Sequence, residues 1–499
     1  MDERKIHRIL FWLLAISTLV RALAAALIEF GNDEVYYWTY ALYPDWSHYD
    51  HPPMVGWVIQ LFSLNLLLDS EFFIRLASVV FMTAETYVMF RIGKEVKNAQ
   101  AGLYAALLYT ASIYAFVMTG VFILPDTPLN LFWLLAIWMA IKYIRAEHPR
   151  SMHLLLFGLF TGLAVLSKYT GIFLWVGFML YVLLFDRKQL KRPALCLSIL
   201  ITAVCCLPIL IWNIQNDFVS FNFHGGRVSL FGKPNFGLFG SEMAGELFYN
   251  NPVNYILAII AVVAAFRGKI DTHKPSQRLV LCIALPLILL FWFFSLTRPT
   301  LPHWNAPAYN ILILLVACWL NNKKPIIASL SIMAFVVVFG IVEIRTGIIP
   351  LDHHTEEEAL GRDDFTIDMY GWRQLGTKFA DLREAKIAEG VMHEDDGIVA
   401  DQWFPLANLD YYVARPLGMR VMGLGYPEFL HKYKWINEKR GGFHPGESYW
   451  FITESRYLKN PYELYQNQFE SIEPVGTITI ERCGKSTKNF FVYACKNLK

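Results

Sequence analysis

The sequence predicts an α-helical polytopic membrane protein followed by a smaller C-terminal domain of α/β or α+β type outside the membrane. Of the 499 residues, 55% are hydrophobic and only 17% are charged. This composition excludes an ordinary soluble protein of this length, because such proteins carry more charge. The apolar residues form runs long enough to cross a bilayer, and beyond about residue 350 the chain becomes polar.

Eleven apolar runs predict eleven membrane spans. The fifth and sixth must share residues 152–185, which leaves about 17 residues for each. We keep them as a pair, since a single helix there would place the later basic loops on the opposite side. The runs lie at about 9–30, 74–90, 101–122, 127–141, 152–167, 169–185, 193–212, 252–266, 279–297, 306–320 and 325–344.

The basic residues predict the orientation. With the N-terminus inside, the cytoplasmic connections hold nineteen Lys and Arg, whereas the opposite connections before the C-terminal domain hold five. Positive charges favour the cytoplasmic side. We therefore expect a multi-pass protein of the cell (inner) membrane with a cytoplasmic N-terminus, and an odd number of spans places the C-terminal domain on the extracytoplasmic, periplasmic face.

The N-terminus leaves one alternative open. Arg4, Lys5 and Arg8 precede an apolar run that contains Ala22-Leu23-Ala24, a pattern that resembles a signal-peptide cleavage site. We favour an uncleaved first anchor, because the run continues largely apolar to Phe30.

The C-terminal residues 350–499 form a predicted second domain after a membrane domain of residues 1–349. The pattern predicts a helix over 372–389 and strands over 397–400, 449–453, 476–481 and 490–494. Cys483 and Cys495 would lie on neighbouring strands in an oxidising compartment. Whether they form a disulfide is left open by the sequence, which does not fix the distance between them.

Residues suited to chemistry collect in the extracytoplasmic connections. The most conspicuous is the adjacent pair Asp33-Glu34, since two carboxylates beside an apolar span repel each other and require partners. Lys and Arg can bind a phosphate and stabilise a leaving group, and a carboxylate can take a proton from an attacking hydroxyl. The set includes Asp33, Glu34, Asp50, His51, Asp126, Lys168, His224, Arg227, Arg298 and His303.

Structural interpretations compete with these roles. Lys168 and Arg298 can be anchors at span ends, and Asp126, between Pro125 and Pro128, can cap the fourth span. Most Trp and Tyr near span ends are expected in the interfacial belt. Residues 36–38 and 55–68 are apolar enough to lie in the interface as amphipathic helices.

In order and sidedness, these motifs resemble membrane glycosyltransferases of the C-type superfamily (GT-C) that use polyprenyl-phosphate sugars. The group includes protein O-mannosyltransferases and the aminoarabinose transferases of lipid A. Asp33-Glu34 resembles the acidic pair of the first extracytoplasmic loop, and His51-Pro52-Pro53 its His-Pro-Pro turn. The resemblance extends over about residues 1–350. It departs where Met54-Val55-Gly56-Trp57 stands in place of a lysine found in eukaryotic-type mannosyltransferases, which puts the acceptor class in doubt.

The resemblance implies roles for individual residues. Asp33 would bind or deprotonate the acceptor with Glu34 in support, and Asp126 would complete the catalytic group. The donor phosphate would be bound by His51, Lys168, Arg227 and Arg298, and the acceptor and sugar pocket would include Tyr36, Tyr37, His303 and Trp304.

The implied reaction is a single displacement that inverts the anomeric centre, with polyprenyl phosphate as the leaving group. We expect no cofactor, since no Gly-rich nucleotide loop or metal-ligand cluster is evident; a divalent ion at Asp33, Glu34 or Asp50 is the alternative. The expected partners are the polyprenyl-phosphate sugar, a lipid, glycan or protein acceptor, and membrane lipids, with no nucleic acid. Two functions compete with transfer: a transporter or flippase of lipid-linked sugars, and an assembly factor that binds them.

Overall fold

The computed structural model describes residues 2–226 and 233–499. They form two compact units. The helical unit comprises Met1–Ala26 and Pro44–Val337, and the sheet unit comprises Leu27–Tyr43 and Val338–Lys499. The short segment that contains Asp33 and Glu34 therefore belongs with the C-terminal residues. The domain boundary expected at residues 349 and 350 rests on the change in composition and stays a prediction.

Fifteen α-helices are described up to residue 346. Their bounds are α1 Glu3–Leu27, α2 Asn32–Leu42, α3 Met54–Phe62, α4 Glu71–Val96, α5 Ala99–Thr110, α6 Asp126–Arg145, α7 Ser151–Ser167, α8 Phe173–Phe185, α9 Pro193–Gln215, α10 Val219–Gly226, α11 Phe236–Tyr249, α12 Pro252–Phe266, α13 Lys274–Ser295, α14 Ala306–Trp319 and α15 Lys324–Thr346.

Within the described ranges, six helices are long and apolar enough to cross a membrane: α1, α4, α6, α9, α13 and α15. Helices α11 and α12 meet at 105° and make a seventh candidate if they form one bent span. Helices α7 and α14 and the segment Tyr169–Phe185 are apolar but shorter. The protein is thus an integral multi-pass membrane protein, and the count of eleven spans stays a prediction.

The fifth and sixth apolar runs are separate helices, as predicted. Helix α7 ends where Lys168 adopts an extended backbone (φ −155°, ψ 138°), and a 3-10 turn, Tyr169–Ile172, leads into α8. The turn packs closely on α7, because a Cβ at Gly171 would lie 2.5 Å from the carbonyl carbon of Ala164. Glycine is needed for that approach.

Two other apolar runs are interrupted. The run at 101–122 divides into α5 and a π-helical turn, Tyr114–Met118. Of the amphipathic segment predicted at 55–68, only the part within α3 is helical, since Leu64, Asn65 and Leu66 have positive φ angles of 52–62°. Left-handed residues cannot continue an α-helix.

The core of the helical unit is close-packed. Gly93 of α4 and Gly102 of α5 meet so closely that a Cβ on Gly93 would lie 2.8 Å from the Cα of Gly102, which is the small-residue contact typical of membrane helices. Trp133 and Ile137 of α6 are buried in the same core. This core therefore includes α6, the helix that begins at Asp126.

The sheet unit contains a mixed five-stranded sheet in the order β2-β1-β3-β5-β4. Strand β1 is parallel to β2 and β3, whereas β5 is antiparallel to β3 and β4. Its elements are α16 Trp372–Ala388, β1 Gly397–Ala400, α17 Trp403–Asn408, β2 Val421–Gly423, α18 Pro427–Leu430, α19 Tyr433–Lys439, β3 Tyr449–Glu454, α20 Pro461–Tyr465, β4 Phe469–Arg482 and β5 Lys485–Leu498.

The predicted helix and all four predicted strands of this unit are confirmed. Strand β2 was missed, because three residues are too few to show a period of two. The expectation that Cys483 and Cys495 lie on neighbouring strands is wrong. Cys483 is at the turn of the β4–β5 hairpin, while Cys495 pairs with Ile472 and Tyr449 about 30 Å along the strand, and both are free thiols.

Candidate functional site

The helical unit buries an ion pair between Lys168 and Asp126. The Lys168 Nζ lies 2.9 Å from Asp126 Oδ1 and 2.8 Å from Oδ2, and the Tyr114 hydroxyl donates to Oδ1 at 2.7 Å. Lys168 is 7% exposed and Asp126 3%. An anchoring lysine would extend its ammonium toward water, so the anchor interpretation of Lys168 is wrong.

Local structure explains how the pair forms. Asp126 is the first residue of α6, where the positive end of the helix dipole favours a carboxylate. Lys168 leaves the end of α7 in an extended conformation, and α7 is packed against α6. Two residues 42 positions apart are thereby fixed within hydrogen-bond distance.

Two histidines, His51 and His303, interact electrostatically with both Lys168 and Asp126. Burial lowers the pKa of His51 to about 3; Asp50 acts to raise it and Lys168 to lower it further. Burial also lowers the pKa of His303 to about 4, with Lys168 lowering it and Asp126 raising it. Both imidazoles are therefore neutral near pH 7, and Lys168 provides the positive charge of the group.

Helix α10 packs against the loop that carries His51. His224 Nε2 lies 2.8 Å from the carbonyl oxygen of Asp50, and the Ser220 hydroxyl donates to the carbonyl of His48 at 2.7 Å. The His224 ring lies 4.9 Å from that of Tyr169 and 6.3 Å from that of His51. We call Asp126, Lys168, His51 and His303 the polar cluster, in which the carboxylate and ammonium are buried and the two histidines are half-buried, with His224 at its edge.

The remaining predicted residues of the helical unit are only partly placed. Arg298 follows the end of α13, and its guanidinium lies 5.8 Å over the Phe294 ring. Trp304 packs on Phe291 with ring centroids 5.5 Å apart. Arg227 lies outside the described residues. The phosphate-binding roles of Arg298 and Arg227 stay predictions.

Sequence reasoning missed the way α11 holds the loop that carries His303. The Thr300 hydroxyl donates to Glu242 Oε2 at 2.7 Å, and the Asn305 amide donates to Glu246 Oε1. Glu246 also accepts from Trp292 at 3.0 Å and from Tyr309 at 2.8 Å. Two buried carboxylates one helical turn apart thus fix both ends of loop 300–305. The sequence does contain a signal for this contact, because Glu242 and Glu246 are four residues apart in an otherwise apolar segment and therefore lie on one face of a helix.

The same face of α11 also touches the middle of the loop. A Cβ on Gly245 would lie 2.1 Å from Cγ of Pro302, and the Tyr249 ring lies 6.1 Å from that of His303. Residues 242, 245, 246 and 249 have the spacing of one helical face. The position of the His303 ring is therefore set by α11.

Asp33 and Glu34 belong to the sheet unit and differ sharply in environment. Glu34 is 2% exposed, and its Oε2 accepts the backbone N–H of Gly31, the N-cap residue of α2, at 3.0 Å. Asp33 is exposed and lines a cavity of that unit. Glu34 thus has a structural role at the start of α2.

Tyr36 and Tyr37 are buried on the following turn of α2. The Tyr36 ring lies 5.0 Å from that of Trp403, and its hydroxyl accepts the backbone N–H of Lys432 at 3.3 Å. The Tyr37 ring lies 5.4 Å from that of Tyr40. Their assignment to the acceptor pocket stays a prediction.

One group of three metal-ligating side chains lies close together in the described ranges. The ligand atoms of Asp352, His354 and Asp363 are within 4.8 Å of one another. The Asp352 carboxylate accepts the backbone N–H of Gly361 at 2.8 Å and of Asp363 at 3.2 Å, and His354 Nδ1 lies 2.8 Å from it. These contacts stabilise loop 352–363, and they are sufficient to explain why the three side chains lie close together.

Comparison with known proteins finds similarity to sugar transferases. Residues 50–212 match the family model described as dolichyl-phosphate-mannose-protein mannosyltransferase. The chain is 24% identical over 402 residues to the lipid A galacturonosyltransferase RgtD of Rhizobium johnstonii, covering 78% of this chain and 81% of RgtD.

The fold resembles that of ArnT from Cupriavidus metallidurans. The apo structure of ArnT has a TM-score of 0.65 at 13% identity, and the structure bound to undecaprenyl phosphate has a TM-score of 0.63 at 13% identity. Each comparison covers 97% of both chains. The fold of this chain is therefore ArnT-like along nearly its whole length.

Proposed function

We propose that this chain is a membrane glycosyltransferase of the C type, which transfers a sugar from a polyprenyl-phosphate donor to a lipid A-type acceptor at the extracytoplasmic face of an inner membrane. The relative RgtD, which is named a lipid A galacturonosyltransferase, supports this acceptor class. Undecaprenyl phosphate is the donor lipid that we propose, because an ArnT structure of the same fold is bound to it. Galacturonic acid is the first sugar to test.

The observation that supports this proposal best is the buried Lys168–Asp126 pair. An ammonium at 7% exposure is costly to maintain without a partner, and the pair is retained beside two neutral imidazoles. We propose that Lys168 stabilises the charge that develops on the leaving phosphate, while Asp126 holds the ammonium in place. His51 and His303 would act as hydrogen-bond partners of the donor without adding charge.

The proposed reaction is a single inverting displacement. The acceptor hydroxyl oxygen forms a bond to the anomeric carbon while the bond from that carbon to the phosphate oxygen breaks. The hydroxyl proton passes to the carboxylate of Asp33, and polyprenyl phosphate leaves. Asp33 suits this role because it is exposed, whereas Glu34 is committed to the helix cap.

The experiment uses the full chain in lipid nanodiscs with undecaprenyl-phosphate galacturonic acid and lipid A. Mass spectrometry should show lipid A gaining one sugar residue. Donor consumption without modified lipid A, or sugar found on an added glycan or protein acceptor instead, would overturn the lipid A assignment.

Asp33 is tested in the same assay. Because a positioned general base contributes about 100-fold or more, Asp33→Asn should lower kcat by at least that factor. Glu34→Gln is the matched comparison: the glutamine amide oxygen can still accept the backbone N–H of Gly31, so the decrease in kcat should stay within about tenfold. Activity of Asp33→Asn within a few-fold of wild type would remove Asp33 as the base.

A further inference from the structure

The sheet unit contains a cavity of about 720 Å³ at the carboxyl ends of two parallel strands. Strand β1 ends at Ala400 and β3 at Glu454, and the residues that follow each strand form its walls. In chain order the sheet runs β1, then β2 on one side, then β3 on the other. Ligands of open α/β sheets bind at such a switch point, and the volume is within the range of small-molecule sites.

The charged groups of the wall are balanced. Three carboxylates face three cations, so the wall has no net charge to attract a free anion or a free cation. Hydroxyl groups both donate and accept hydrogen bonds, and such a mixed wall suits a ligand rich in hydroxyls. The carboxylates are those of Asp33, Asp401 and Glu454, and the cations are Arg362, Arg456 and Lys459.

One carboxylate oxygen of Glu454 lacks a hydrogen-bond donor. Its Oε2 lies 3.2 Å from Nζ of the fully buried Lys488, but its Oε1 has no hydrogen-bond partner. The residue is 3% exposed. A buried carboxylate oxygen left without a donor costs free energy, and Glu454 is one of the residues that line the cavity.

Aromatic rings complete the wall. Trp403, Phe404 and Tyr457 line the cavity, and the Phe404 and Tyr457 rings are 5.2 Å apart. Trp403 is held in place by His431, whose ring is stacked at 5.7 Å and 16°. Flat apolar faces beside polar groups match a sugar ring, which has apolar C–H faces and a polar edge.

We propose that this cavity binds a sugar ring of the acceptor, with the Tyr457 ring against its face, the perpendicular Phe404 ring beside it, and Glu454 and Asp401 accepting hydrogen bonds from its hydroxyls. The inference rests on the proposed function, because the same wall includes Asp33, the proposed base. It assigns acceptor recognition to the sheet unit and names a carbohydrate as the group recognised.

Binding is tested with N-acetylglucosamine as the probe, by saturation-transfer NMR on the full chain in nanodiscs. Wild type and the donor-site double variant Lys168→Met with Asp126→Asn should both transfer saturation to the sugar. Tyr457→Ala and Glu454→Gln should reduce the signal several-fold. Tyr462→Ala is the matched control, since Tyr462 is 43% exposed and Tyr457 is 42% exposed, but Tyr462 does not line the cavity.

Kinetics provide the second readout. Tyr457→Ala should raise the KM for lipid A about tenfold, a change of roughly 1.4 kcal/mol, with the KM for the donor unchanged. Equal probe signals in wild type and both cavity variants, or competition by inorganic phosphate, would overturn the inference. Sugar binding at the cavity without transfer to lipid A would instead refute the proposed function alone.

Discussion

Lys168 and Asp126 illustrate how much free energy a single buried pair controls. Removing one partner leaves an isolated charge in a site where both residues are less than 10% exposed, and such a loss costs about 3–5 kcal/mol. Lys168→Met should therefore lower the unfolding temperature in detergent. In the double variant Lys168→Met with Asp126→Asn no buried charge remains, so the unfolding temperature should recover.

Activity separates the catalytic role of the pair from its structural role. If Lys168 stabilises the leaving phosphate, the double variant should be stable and yet at least about 100-fold slower in transfer. A stable double variant with near wild-type kcat would show that the pair only supports the fold.

The two neutral histidines predict a pH dependence of stability. Their pKa values of about 3 and 4 in the folded chain lie below the value of about 6.5 in an unfolded chain. Between pH 6.5 and 4 the unfolded chain therefore binds more protons, so these residues make stability fall as the pH is lowered. The unfolding temperature of His51→Gln with His303→Gln should fall less between pH 7 and pH 5 than that of wild type. If the unfolding temperature falls equally in the variant and in wild type between pH 7 and pH 5, the imidazoles are not held neutral in the folded chain.

At the scale of elements, helix α11 offers a matched pair of glycines. A Cβ on Gly245 would meet Pro302 at 2.1 Å, whereas a Cβ on Gly240 meets nothing within 4 Å. Gly245→Ala should therefore displace loop 300–305 with His303 and lower kcat about tenfold or more. Gly240→Ala gains helix propensity of up to about 1 kcal/mol and should keep its activity. Equal kcat values in the two variants would show that α11 does not position the loop.

The elements also show where sequence patterns suffice. Helix α16 and strands β1 and β3 were predicted close to their observed bounds because their apolar periodicity is local. The end of α3 at Phe62 and the break after α5 were not, since both depend on backbone conformations that apolar composition does not encode.

At the scale of the whole molecule, the orientation in the membrane can be tested with a native thiol. Cys483 is exposed and Cys495 is buried. If the sheet unit is extracytoplasmic, an impermeant maleimide should label intact spheroplasts through Cys483, and Cys483→Ser should remove that label. Labelling that requires lysis would place the sheet unit inside and overturn the topology of eleven spans.

The sequence by itself determined the membrane class of the protein, most of its long apolar helices and most of the sheet, while the assignment of polar residues to the extracytoplasmic connections stays a prediction. Those properties follow from composition, period and charge, which act over one element at a time. Only the tertiary structure decided that Lys168 pairs with Asp126, that Glu34 caps its helix while Asp33 faces a cavity, and that α11 fixes the His303 loop. Contacts between residues tens to hundreds of positions apart depend on close packing of whole elements, and a packed interior tolerates few arrangements.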